Sequence, residues 1–479
     1  MQRTVVVTGA GISGLAACCH LAKYAHGTKV ILLEASDRLG GWLHSTRTER
    51  GAVFEHGPRG IRPAGPVGKN TLKLVSDLGL ENDILPVPGD HPASQNRYLY
   101  VDGKIHKLPS SIGSILQTSP PFTKPIIGSI LKELMVRREK TPDETVHAFM
   151  QRRFGKELAD IAVDSLCRGV FAGDCRKLSV RSCFPMLYNA EQKYGSVVLG
   201  MLFGGGNCPS PRNSGLPIVT TKKSWGRWSL TFKRNSKALP SLSNYSFKLS
   251  ILYYSMHVLV MPEFRLFNVS IRVVKLQDGT IKADHVISAT SAKALSFMLP
   301  PSMDALTEEL RQILSATVAV VNLEYEGSVL PFVGFGHLVP SLEDACVLGI
   351  IYDSVSYPQQ NRTGAPTTRL TVMMGGAWFL EQIGDPDKIS QDHLLKVAME
   401  AVRCHLGVQT DPLYSITHIQ KECIPQYTVG HWKRLENITN YLHHSKVPLS
   451  VVGASYQGVS VNDCIYFAQL AVDKLLGKS

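Results

Sequence analysis

The chain of 479 residues is long enough for two or three domains with substantial cores, and 44% hydrophobic with 19% charged residues excludes a disordered protein. A net charge of +12 suits nucleic acid, an anionic membrane surface or an acidic substrate. No Lys/Arg tract, zinc-ligand spacing or RNP-type motif supports nucleic acid, so a solvated basic surface is the default reading.

The N-terminal run Thr4-Val-Val-Val-Thr-Gly-Ala-Gly-Ile-Ser-Gly-Leu15 is an apolar strand leading into Gly-x-Gly-x-x-Gly. Gly9 permits the tight turn, Gly11 lets backbone approach a pyrophosphate, and Gly14 lets the following helix pack on the strand. The unpaired first-turn N–H groups of that helix, around Ala10, Ile12 and Ser13, suit a diphosphate. After the strand Val30-Ile-Leu-Leu33 comes Glu34, which can accept both hydroxyls of a ribose and would repel a 2′-phosphate. Together these features predict a bound dinucleotide. The next stretch, Glu34-Ala35-Ser-Asp-Arg38-Leu-Gly40-Gly41-Trp42, separates flavin from nicotinamide: it matches the Glu-x-x-x-Arg-x-Gly-Gly extension of large flavoproteins. With Gly57-Pro58-Arg59-Gly60 further on, the chain resembles the flavin amine oxidase superfamily, which includes monoamine and polyamine oxidases, phytoene desaturases and protoporphyrinogen oxidases.

A helix is expected over Lys69 to Leu80, and Pro86 to Pro92 reads as a connection. Tyr98-Leu-Tyr-Val101, Asp102-Gly103 and Lys104-Ile-His-Lys-Leu108 read as a hairpin with Asp-Gly at its turn. From Pro109 to about Met201 the chain is punctuated by proline and then helical, as an inserted domain. Thr141-Pro142-Asp143-Glu144 has the pattern of a helix start, with Thr141 as cap. The N-terminal apolar stretch is explained by nucleotide binding, so no cleavable signal is expected, and no apolar run of 18 residues predicts a transmembrane helix. Ten cysteines without a Cys-x-x-Cys pair read as free thiols.

A more specific resemblance follows. Thr145-Val-His-Ala-Phe-Met-Gln-Arg-Arg153-Phe-Gly155 leads to Arg168-Gly169-Val170-Phe171-Ala172-Gly173-Asp174 and Leu178-Ser179, a series that protoporphyrinogen oxidases carry and amine oxidases lack. Gly334-Phe335-Gly336-His337-Leu338, Cys423-Ile424-Pro425-Gln426-Tyr427-Thr428 and the run from Gly453 to Asp463 match as well. The resemblance covers residues 1–230 and 273–479 and is to the animal mitochondrial type.

It implies an α/β fold with α+β insertions of the p-hydroxybenzoate hydroxylase/amine oxidase kind. Residues 1–90, 231–300 and 440–479 would form a Rossmann-like FAD-binding domain, 91–110 and 301–439 a mixed-sheet substrate domain, and 111–230 a helical membrane-binding domain. It further implies one non-covalent FAD and the six-electron oxidation of protoporphyrinogen IX to protoporphyrin IX in haem biosynthesis. Three hydride transfers to flavin N5 would consume three O2 and yield three H2O2, with no dedicated acid or base. The expected setting is peripheral, at the mitochondrial inner membrane on its intermembrane-space side, as a homodimer, with ferrochelatase a candidate partner.

Residue by residue, Arg97 can hold a propionate bidentately. Arg59 sits in a glycine turn where contact with charge and a role in holding the loop are both open. The resemblance implies Leu166, Gly169, Phe335, Gly336, Leu338, Ile351, Met373 and Ile424 as the lining of the macrocycle pocket. His337 reads as a hydrogen-bonded structural histidine. Val459, Ser460 and Val461 open the last helix, whose N–H groups suit the pyrimidine end of reduced flavin.

One segment departs from the family. Thr231 to Arg272 lacks glycine and carries six Lys or Arg against Glu263 as its sole acid. No valine can be carried over to the family's adenine contact, although Ile251-Leu-Tyr-Tyr254 and Val258-Leu-Val260 could supply strands. A retained intron or a mispredicted exon would explain the break. The alternatives to an active oxidase are therefore an isoform deficient in FAD, or another oxidase of the superfamily.

Overall fold

The computed structural model of the chain describes residues 2–109, 112–203, 229–232, 249–253, 259–261, 272–276 and 279–478. Five parallel strands form its first sheet, in the order Leu449–Val451, His285–Ser288, Thr4–Thr8, Lys29–Glu34 and Leu249–Tyr253. Val5, Val7, Val30 and Leu32 on one side of this sheet are fully buried against helix Ile12–Tyr24, which also packs on the terminal helix Val461–Leu475. Strands buried on both faces read as near-continuous apolar runs, and both N-terminal strands do so. The strand expected near Ile251 is present as Leu249–Tyr253, on the open edge of Lys29–Glu34, with Glu34 opposite Tyr253. Leu259–Met261 joins a small antiparallel sheet with Arg272–Leu276 and Gly279–Ala283. The rest of the departing segment lies outside the described residues.

The second sheet has seven strands, ordered Tyr414–Pro425, Ser315–Glu326, Thr367–Gly376, Val347–Ile351, Gly336–Leu338, Tyr98–Val101 and Lys104–Lys107. All neighbours are antiparallel except Gly336–Leu338 beside Tyr98–Val101. The expected hairpin at Asp102-Gly103 closes this sheet, with both residues at positive φ. Cross-strand partners share a face. The register Leu338–Gly349–Met373–Val320–His418 and, one step along, Gly336–Ile351–Thr371–Asn322–Ile416 therefore defines one face. The opposite face buries Val321, Ile350, Val372 and Tyr352 against Leu394, Ala398 and Val402 of helix Gln391–Leu406.

Residues 112–203 are helical, and two features there depart from expectation. The helix expected to start at Thr141 begins at Val146, with Thr145 as its cap and not Thr141. The reason is tertiary: the carboxylate of Asp143 accepts from Ser179 Oγ and from the Gly430 amide, which draws 141–144 out of helical conformation, while Glu144 pairs with Arg152 at 2.5 Å. In addition, Leu158–Val163 forms a π-helix directly before helix Asp164–Phe171. The helix expected over Lys69 to Leu80 runs Gly65–Asp77, with Pro66 in its first turn. Fully buried Arg153 donates to Glu133 at 2.8 Å and to Glu191, and Glu133 in turn accepts from the Val197 amide at 2.7 Å. This ties helix Ile126–Met135 to the start of helix Val197–Phe203. Among the described residues no helix is long and apolar enough to cross a membrane, and the nine described cysteines are free.

Candidate active site

The glycine motif forms a cradle at the C-terminal ends of the parallel strands. Gly9 has φ of 88°, and a Cβ on Gly14 would overlap the Gly9 carbonyl oxygen. Gly40 donates from its amide to Ala10 O at 2.9 Å, bringing the two glycine loops together. Helix Ile12–Tyr24 begins at Gly11 with no side-chain cap and no acid in its first turn, so its positive end is left to a ligand. Beside it Arg38 donates from Nη2 to Gly41 O at 2.6 Å, and its buried Nη1 has no hydrogen-bond partner among the described residues. Two sets of unsatisfied donors thus converge where a pyrophosphate belongs. Glu34 accepts at Oε1 from the Ser36 amide and hydroxyl at 2.9 and 2.8 Å and at Oε2 from the Ala10 amide at 2.7 Å, which leaves Oε2 a free lone pair for ribose. Ala35 follows at the strand end. These residues fit the diphosphate and ribose of a flavin dinucleotide.

The second glycine loop is fixed on both flanks. A Cβ on Gly57 would overlap Trp42 O, and Arg59, nearly buried, bonds Asp353 at 2.5 Å and Thr371 Oγ1 at 3.0 Å. The guanidinium of Arg59 is thus engaged by the protein, and the loop Gly57-Pro58-Arg59-Gly60 lies over the Met373-bearing face of the seven-stranded sheet. On its other side Arg62 O accepts from Asn462 Nδ2 at 2.7 Å, linking the loop to the terminal helix. That helix is capped by Ser460, with Asp463 completing a reciprocal capping box. The Ser460 amide is thereby used internally, while Val459 and Val461 flank it.

Four of the residues expected to line the pocket lie on one face of the seven-stranded sheet. Gly336, Leu338, Ile351 and Met373 share the face defined above, and Met373 and Ile424 pack on one cluster around Ala172, Val320 and Leu348. Helix Asp164–Phe171 lies against this face so closely that a Cβ on Gly169 would meet Leu338 Cδ2 at 2.6 Å; Leu166 is exposed on the same helix. Arg97 stacks over the Phe335 ring at 4.9 Å and donates to the Ala93 carbonyl. Among the described residues it has no acidic partner. Burial, and then the nearby charge of Arg62, hold its pKa below the usual arginine value, so a carboxylate would relieve both. His337 faces away from this pocket, bonded to Tyr352 Oη at 2.8 Å and His405 Nδ1 at 3.0 Å, and burial keeps its pKa well below 6.5. It is a structural histidine.

Sequence reasoning missed Asn322, Thr371 and Asp353, all buried on the site face. Their signal was a polar residue inside an otherwise apolar strand, as in Val318-Ala-Val-Val-Asn-Leu323. It also missed Arg168, fully buried, donating to Val347 O at 2.8 Å and lying 4.6 Å from the Trp378 ring.

Fold and cradle define a dinucleotide-dependent oxidoreductase, and the comparisons with known proteins narrow that class. The profile of the flavin containing amine oxidoreductases matches residues 12–476. Protoporphyrinogen oxidase of Homo sapiens is 48% identical over 482 residues, covering 100% of this chain and 99% of its own, and that of Bos taurus agrees to the same degree. The Schizosaccharomyces pombe protoporphyrinogen oxidase is 30% identical, with 98% of each chain covered. The chain therefore belongs to the protoporphyrinogen oxidase family of flavin-containing amine oxidoreductases. Among solved structures, a putative protoporphyrinogen oxidase from Exiguobacterium superposes with a TM-score of 0.76 at 20% identity over 100% of both chains. Cyclohexylamine oxidase from Brevibacterium oxydans gives 0.64 at 16%, with 99% and 100% covered. At these identities the likeness establishes the fold alone.

Proposed function

We propose that this chain oxidises protoporphyrinogen IX to protoporphyrin IX, using a non-covalently held FAD and molecular oxygen. The observation that carries the reading is Arg97: a partly buried guanidinium without an acidic partner among the described residues, on the rim of an apolar face. Bound in the cradle, FAD supplies the hydride acceptor. The residues of the chain bind and orient. Arg97 takes a propionate bidentately, Phe335 offers an aromatic edge, and Leu338, Ile351, Met373 and Ile424 exclude water from the rings. The carboxylate of Asp353 is committed to Arg59 and Thr371 and is not free to act on the substrate. Orientation over the cofactor is then the main contribution of the protein.

We also propose that the helical part meets an anionic lipid surface, as expected for a peripheral protein of the inner mitochondrial membrane. Leu131, Leu134 and Met135 on one helix and Met201, Leu202 and Phe203 on another are exposed, and the buried Glu133–Arg153–Glu191 cluster joins those two helices. Homodimer formation and contact with ferrochelatase belong to the same reading. The test is direct. Purified chain should show a flavin band near one per chain, released intact by heat, and should form fluorescent protoporphyrin and H2O2 in air. Protein that binds no flavin, or whose flavin is not reduced by protoporphyrinogen, would sink the proposal.

A further inference from the structure

Beneath the Gly57–Gly60 loop lies a chain of polar groups that nothing in the ladder hydrogen bonding of the sheet requires. Thr371 Oγ1 donates to Asp353 Oδ2 at 2.6 Å and accepts from Asn322 Nδ2 at 2.7 Å and Arg59 Nη1 at 3.0 Å. The same Asn322 amide nitrogen donates to Glu55 O at 3.0 Å, and its Oδ1 lies 2.8 Å from His56 Nδ1. His56 Nε2 lies 2.7 Å from Thr46 Oγ1, and Gln420 Nε2 donates to His56 O at 3.0 Å. Asn322, Thr371 and His56 are each 0% exposed.

The direction of every bond follows from one end. A carboxylate paired with arginine only accepts, so Thr371 must donate to Asp353 and accept from Asn322. The Asn322 oxygen then faces His56, which must donate from Nδ1 and accept the Thr46 hydroxyl at Nε2 as a neutral ring. Burial and the adjoining His418 keep the His56 pKa near 4, which agrees. An apolar layer would have been cheaper to bury than so many polar groups. What the network secures is registration: Asn322 and Gln420, from two strands of the seven-stranded sheet, hold the backbone carbonyls of Glu55 and His56, the two residues before Gly57.

We propose that Asn322, with Thr371 as its anchor, is a positioning residue that sets the height of the Gly57–Gly60 loop, and so of the flavin ring, above the substrate-lining face. This rests on the flavin reading above.

The test uses purified full-length variants and two readouts: FAD affinity, from titration of apoprotein followed by visible circular dichroism of the flavin, and the anaerobic flavin bleaching rate with protoporphyrinogen. Asn322→Asp is isosteric but turns an oxygen toward both Thr371 Oγ1 and Glu55 O. It should weaken FAD binding by about tenfold and alter the dichroism band, as loss of one or two buried bonds implies. Thr371→Val should do the same, and stands in if Asn322→Asp does not fold. Thr371→Ser, which keeps the hydroxyl, should stay within about twofold of wild type. Wild-type affinity and dichroism in Asn322→Asp or Thr371→Val would overturn the inference, as would a Thr371→Ser variant as impaired as Thr371→Val. Wild-type protein that binds FAD with these variant effects but does not bleach with protoporphyrinogen would overturn the substrate reading and leave this inference standing.

Discussion

The two sheets build their shares of the site by opposite means. Around the parallel sheet the working groups are backbone: amides at Gly11, closely approaching glycines at Gly14 and Gly41, and one charged side chain each from Glu34 and Arg38. On the seven-stranded sheet they are side chains from strands far apart in the chain, held by a buried polar chain and by Arg97 over Phe335. A site made of backbone fails when a side chain is added, whereas a site made of side chains fails when one is removed. That contrast can be broken at either end.

The largest effect should come from the side-chain end. Arg59→Met strands Asp353 in a buried setting, and removing one partner of such a pair costs about 3–5 kcal/mol, read as a lowered urea midpoint at unchanged m-value. If the midpoint hardly moves, the loop is not held by that pair. From the backbone end, Gly14→Ala forces a methyl onto the Gly9 carbonyl; overpacking of this kind costs about 1–3 kcal/mol. The purified variant should also lack the flavin band, and full flavin occupancy would refute the close approach of helix and strand.

Acid stability compares the two halves with one titration. His20 beside the parallel sheet and His405 behind the seven-stranded one both have pKa values pressed down to about 4, chiefly by burial. The unfolded chain binds the proton near pH 6.5, so this stability is complete above 6.5 and falls as pH drops toward 4. Each histidine contributes at most about 1.4 kcal/mol per pH unit. His405→Gln should flatten the fall between those limits; an unchanged slope would show that His405 titrates normally. The smallest effect is expected at the surface, where Lys293→Ala removes a half-exposed pair with Glu422 and should change stability by no more than about 0.5 kcal/mol.

The same contrast explains what was legible in the sequence. The cradle was readable because its requirements fall on consecutive residues with one physical meaning each: turn, approach, packing, and an acid one strand later. The helix at Val146 was misread because Asp143 is captured by Ser179 and Gly430, which no local pattern records. The buried chain was invisible for the same reason. Asn322 meets His56 across 266 residues and Thr371 across 49, and the apolar alternation around them says only that a polar residue is out of place. The pocket lining was named through resemblance, and the register of the sheet explains why Gly336, Leu338, Ile351 and Met373 share a face.

The central claim is that the guanidinium of Arg97, which has no acidic partner among the described residues, receives a substrate carboxylate above a flavin held by the glycine cradle. The most direct measurement compares protoporphyrinogen IX with its dimethyl ester on wild type and Arg97→Ala. Wild type should prefer the acid in kcat/KM by about 10- to 100-fold, mainly through KM, and Arg97→Ala should lose most of that preference. An Arg97→Ala enzyme that still distinguishes acid from ester as wild type does would contradict the account.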